Sequence, residues 1–108
     1  MGRHDMRALW LAALAAVVAS GEVAAQGTAP AAPVREIRKI ADEVYRFRNN
    51  NHFSVFAVTP DGIIVTDPIN ADAATWLKAE LKQRFDKPVR YLVYSHDHAD
   101  HSSGGQVF

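Results

Sequence analysis

The sequence predicts an α/β fold on three observations. Residues 53–58 and 63–65 are two apolar runs joined by the turn-forming Pro60-Asp61-Gly62, the signature of a β-hairpin. Behind them, Ala73, Ala74, Leu77, Leu81 and Phe85 recur at three- and four-residue steps, which gives a helix one apolar face. A further apolar run, "VRYLVYS", then reads as a buried strand. Strand, turn, strand, helix, strand is the order of an α/β unit.

Taken in chain order, the first segment lies outside the fold. "MGRHDMR" carries two arginines, "ALWLAALAAVVAS" is a nearly unbroken apolar run, and "GEVAA" ends it in small residues. That succession predicts a secretory signal peptide over residues 1–25, cleaved after Ala25 with Val23 two positions before it. The run is short of the ~20 apolar residues a membrane-spanning helix needs. Export places the mature protein in the periplasm or outside the cell. Residues 26–34, "QGTAPAAPV", read as a flexible linker, so the folded part begins near Arg35.

"REIRKIADEVYRFR" sets Ile37, Ile40, Val44, Tyr45 and Phe47 among charges and predicts two strands or one bent strand. A loop of Asn49, Asn50, Asn51 and His52 leads into the hairpin. Asn70 is the expected N-cap of the helix "ADAATWLKAELKQRF", whose Lys82 and Arg84 lie at the end that favours cations. Asp86-Lys87-Pro88 ends it.

Composition narrows the chemistry. Lys and Arg total 12 and Asp and Glu total 12, so the chain lacks the basic excess of a nucleic-acid binder. Without cysteine there is no disulfide, thiolate ligand or Cys nucleophile, and a metal must be held by His, Asp or Glu. The expected partner is a small-molecule substrate, with no nucleic acid and no membrane once the signal is removed.

The chemistry concentrates after the last strand, in "SHDHADH". Three of the chain's five histidines lie there. In extended backbone, residues two apart share a face, so His96 and His98 can converge on one ion while Asp97 points away. Asp100 and His101 follow as the chain turns, placed either to face a second ion or to add ligands to the first. Imidazole and carboxylate suit zinc, and manganese and iron take the same donors. His4 lies in the leader and His52 in a turn, and both read by default as ordinary solvated histidines, with lining the mouth of a site as the alternative for His52.

"HDHADH" resembles the H-x-H-x-D-H signature of the metallo-β-lactamase fold superfamily. "GIIVTDPIN" and "KPVRYLVYSH" extend the likeness, which covers residues 37–108. The resemblance implies an αββα sandwich with metals at one edge between its sheets, of which this chain carries the N-terminal half. It implies His96 and His98 as ligands of a first zinc, Asp100 and His101 as ligands of a second, and Asp67 as a buried residue orienting the ligands. It also implies hydrolysis of an ester, thioester, lactone or β-lactam by a metal-bound hydroxide, with Asp100 holding the nucleophile. Two departures stand out. Ser102 and Ser103 both precede Gly104-Gly105, where the family often has one residue. The family's remaining ligands come from segments downstream of those present, so the chain is expected to be a fragment and inactive alone. The alternatives are a non-catalytic metal-binding remnant and a fragment that needs a complementary chain.

Overall fold

A computed structural model describes residues 27–108; the signal-peptide prediction lies outside them. Five strands form one sheet in the order β1-β2-β3-β4-β5. β1 (Arg35–Ala41), β2 (Val44–Asn49), β3 (His52–Thr59) and β4 (Gly62–Thr66) run as an antiparallel meander. Helix α1 (Ala71–Phe85) then crosses over so that β5 (Val89–Val93) pairs parallel with β4. A single helical turn, α2 (Ala99–Ser102), and a 3-10 turn (Gly105–Val107) complete the described residues.

The turns follow from side chains that tolerate left-handed backbone. Asp42 (φ 30°) and Asn50 (φ 55°) occupy the first two hairpin turns, and Asp and Asn pay less than other residues for that conformation. The segment 35–49 is therefore two strands. The Asn50-Asn51 turn is shorter than the sequence suggested, because Asn49 closes β2 and pairs with His52, which opens β3. His52 thus belongs to a strand rather than to a loop.

Helix α1 has the predicted limits. The Asn70 side chain accepts a hydrogen bond from Ala73 N at 2.8 Å, satisfying one of the free N–H groups of the first turn. Asp86 (φ 50°) ends the helix with its own N–H on Lys82 O. Ala73, Leu77 and Leu81 are buried in one cluster with Phe47, Phe56, Ile63 and Val65 of the sheet, and Ala74 is buried as well. Full burial of each large apolar side chain stabilises by about 1.5–3 kcal/mol, so this one interface anchors the fold. Phe47 stacks on Trp76, and Tyr45 stacks on Phe56 with Phe85 edge-on to both.

Strand alternation leaves Phe53, Tyr91 and Val93 on the face away from α1, and all three are exposed. The strand predicted over 89–95 stops at Val93, whose partner Thr66 is the last residue of β4. Without a neighbour to pair with, the chain leaves the sheet there, and the histidine segment becomes a loop.

Candidate metal centre

The loop emerges at the carboxyl end of the parallel pair β4 and β5, where open α/β sheets place their ligand sites. Two backbone bonds fix it. Asp67 N donates to Val93 O at 3.1 Å, and Ile69 N donates to His101 O at 2.9 Å. Ile69, with φ 71°, also bridges Ser102. A β-branched residue in the left-handed region is an outlier that costs about 1–3 kcal/mol. Burial of Ile69 and its contacts to α2 hold it there.

Asp67 directly follows β4 and is 5% exposed. Its Oδ1 accepts from Ser95 N at 2.8 Å and its Oδ2 from Ser95 Oγ at 2.5 Å. The same hydroxyl lies 2.7 Å from His96 Nδ1. Hydrogen-bond arithmetic then sets the His96 tautomer. Ser95 has one hydroxyl proton and gives it to the carboxylate, so Nδ1–H must donate to Oγ. His96 Nε2 is left with its lone pair available.

The histidine rings gather around His96. Ring centroids lie 4.7 Å from His96 to His98 and 4.6 Å from His96 to His101. Two sets of donors each lie within 4.8 Å of one another: Asp67, His96 and His101, and His96, His98 and Asp100. His96 belongs to both. Asp100 therefore groups with His98, and His101 groups with Asp67. His98 is the N-cap residue of α2, in extended conformation, and the turn of α2 carries Asp100 and His101.

Electrostatics favour anionic carboxylates at both ends of the site. Burial pushes the Asp67 carboxyl upward, but the two bonds from Ser95 and the nearby His101 together hold it below its ordinary value. At Asp100 a similar upward push from desolvation is outweighed. The hydrogen bond from His52, a bond to its own backbone N–H and the charges of His101 and His52 lower it.

These residues suit a divalent cation. The donors are imidazole nitrogen and carboxylate oxygen, the set that zinc accepts. Among the described residues, His101 Nδ1 is buried with no hydrogen-bond partner, and the Asp67 Oδ2 carboxylate oxygen is 3.4 Å away. A buried nitrogen left unpaired is costly, and in the tautomer that leaves Nδ1 its lone pair a cation would satisfy it.

Ser95 escaped the sequence reading, in which His52 reads by default as a solvated turn residue. Ser95 adjoins the first histidine of the motif, and a hydroxyl at that junction was its only signal. His52 Nε2 lies 3.2 Å from Asp100 Oδ2, although 48 positions separate them. Nothing local in the sequence marks that contact.

No protein-family model matches the chain. Among curated proteins it is similar to the linear primary-alkylsulfatase of Pseudomonas sp. (strain ATCC 19151), with 36% identity over 50 residues. That stretch is 45% of this chain and 10% of the alkylsulfatase. Among solved structures it is similar to a metallo-β-lactamase from Hirschia baltica, with a TM-score of 0.61 at 19% identity. The match covers 68% of this chain and 38% of the Hirschia protein, so the chain spans well under half of either relative's length. Over that shared stretch the chain has the metallo-β-lactamase fold.

Proposed function

We propose that this chain forms the N-terminal part of an exported, zinc-dependent hydrolase that holds two metal ions. The observation that carries the metal reading is the gathering of imidazole and carboxylate donors around His96, in two overlapping sets each within 4.8 Å. His96 itself offers one nitrogen to one ion, and the second ion rests on the likeness to the metallo-β-lactamase fold. His96, His98, Asp100 and His101 would hold metal, with Asp67 and Ser95 orienting His96 and His101 from beneath. Bound zinc supplies Lewis acidity and lowers the pKa of a coordinated water toward neutrality. Asp100, ionised and exposed at the mouth, orients the attacking water and accepts its hydrogen bond. Asp67, closed off by Ser95, keeps the His96 imidazole in the Nδ1–H form throughout.

The substrate class is an ester, thioester, lactone or β-lactam. Similarity to an alkylsulfatase supports including sulfate esters in the first screen. The test is metal titration of the chain with zinc, manganese and iron, followed by hydrolysis assays across those classes. A chain that binds none of these metals above the level of a His96→Ala, His98→Ala variant sinks the reading.

A second reading is favoured by the uncovered sheet face. With Tyr91 67% and Val93 50% exposed, the chain would turn over substrate only with a complementary chain covering that face. Co-expression with the C-terminal half of a related fold separates the two: activity restored by the partner supports this reading, and activity of the chain alone excludes it.

A further inference from the structure

The contact between His52 and Asp100 joins the start of β3 to the turn of α2, 48 positions further along the chain. His52 opens β3, and its backbone is fixed by the pairing of Asn49 with His52 at the end of the β2–β3 hairpin. Its ring stands edge-on to His101, with centroids 5.7 Å apart and planes at 74°. Its Nε2 lies 3.2 Å from Asp100 Oδ2. An ionised carboxylate only accepts, so Nε2 carries the proton. We propose that His52 is a positioning residue for Asp100, holding one carboxylate oxygen so that the other is presented as the ligand atom. This rests on the reading of Asp100 as a metal ligand.

The arrangement inverts a familiar pair. Metal-bound histidines are commonly oriented by a carboxylate; here a histidine from a distant strand orients a carboxylate. Asp100 sits on the single turn α2, which has little rigidity of its own, whereas His52 is locked into the sheet. The contact therefore transfers the stiffness of the hairpin to the loop. The His52 side chain is 39% exposed and that of Asp100 is 57% exposed, so water competes and the effect is moderate.

The experiment is a cobalt(II) titration of the full chain, followed by visible absorption, with folding checked by circular dichroism. Phe in place of His52 keeps the ring and removes the donor, whereas Gln keeps an N–H at similar reach. His52→Phe is expected to weaken cobalt binding roughly tenfold, the lower end for outer-sphere partners, with His52→Gln within about threefold of wild type. In an Asp100→Ala background, His52→Phe should cost nothing further. Wild-type affinity in His52→Phe, or an equal loss with and without Asp100, overturns the role of His52. Should His52→Phe fail to fold, His52→Ala takes its place against the Gln variant under the same criteria. A wild-type chain that binds no cobalt defeats the metal-site reading itself, and this inference falls with it.

Discussion

Ser95 and Asp67 meet through both atoms that Ser95 can donate with. The backbone N–H reaches Oδ1 at 2.8 Å and the hydroxyl reaches Oδ2 at 2.5 Å, so the carboxylate is gripped at both oxygens. The grip explains how an acid that is 5% exposed stays ionised. It also couples the end of β4 to the first histidine of the loop, because the same hydroxyl accepts from His96 Nδ1 at 2.7 Å. One side chain thus ties together a buried charge, a strand end and a candidate ligand.

Removing that hydroxyl should show in metal affinity before it shows in fold. Ser95→Ala leaves the backbone bond to Asp67 but frees the His96 ring and its tautomer. Metal affinity is expected to fall by about 10–100-fold, as for other partners that orient a ligand. Loss of a hydrogen bond to a charged group should lower stability by about 1.5–3 kcal/mol. Ser95→Thr restores the hydroxyl and should recover most of both, as read by zinc titration and urea unfolding. An Ala variant with unchanged zinc affinity would separate Ser95 from the site.

Asp67 makes a pH-dependent contribution to the metal-free chain. Its carboxyl is lowered from 3.8 in the folded state, so the folded chain releases that proton more readily than the unfolded one. The stabilisation is complete above the unfolded value and disappears as pH falls through the lower folded value. In EDTA, the stability gap between wild type and Asp67→Asn should be widest near neutrality and close progressively below 3.8. Urea midpoints at a series of pH values measure it. A gap that stays constant down to the acid transition would mean that Asp67 acts through shape, not charge.

What was legible in the sequence was local. The limits of α1 could be read because each signal acts locally: Asn70 on Ala73, Asp86 on Lys82, and the apolar stripe at three- and four-residue steps. The β3–β4 hairpin could be read because Pro60-Asp61-Gly62 supplies its own turn. His52 could not, because its neighbours are three asparagines that look like loop, and the register that lifts it into β3 depends on pairing with Asn49. Its partner Asp100 lies 48 positions further on, beyond the helix and β5, so only the tertiary fold brings the two together. The end of β5 was misplaced for a related reason. Tyr94 and Ser95 continue the strand pattern, but β4 stops at Thr66 and leaves them without a partner. Alternation suggested that His96 and His98 share a face. The structure brings both rings together in irregular backbone, with His98 as the N-cap residue of α2.

The core carries a prediction independent of the metal. Leu77 is 1% exposed and sits in the same cluster as Phe47, Phe56 and Val65. Leu77→Ala should cost about 2–5 kcal/mol, through lost transfer energy and the cavity left behind. That is a large share of the margin of a domain this small. Chemical unfolding monitored through Trp76, which stacks on Phe47 in the same layer, reports it directly. A loss below about 1 kcal/mol would mean that the helix is not seated on the sheet as described.

Gly104 joins the loop to the start of α1. Its φ of 90° lies in the region that side chains rarely adopt. A Cβ there would lie 2.5 Å from both Ala71 N and Asn70 C, backbone atoms at the helix N-terminus that cannot swing aside. Gly104→Ala must therefore push the 3-10 turn away from α1 or bend the chain at the helix cap. The conformational cost alone is about 1–3 kcal/mol, and the clash adds to it. Because Ile69 N bonds His101 O next to this contact, the displacement should reach the metal loop as well. The variant is expected to lose stability in urea and to weaken zinc binding, whereas Gly27→Ala, with nothing within 4 Å of its added Cβ, should do neither. Equal behaviour of the two glycine variants would mean that the chain does not pack tightly between the loop and the helix cap.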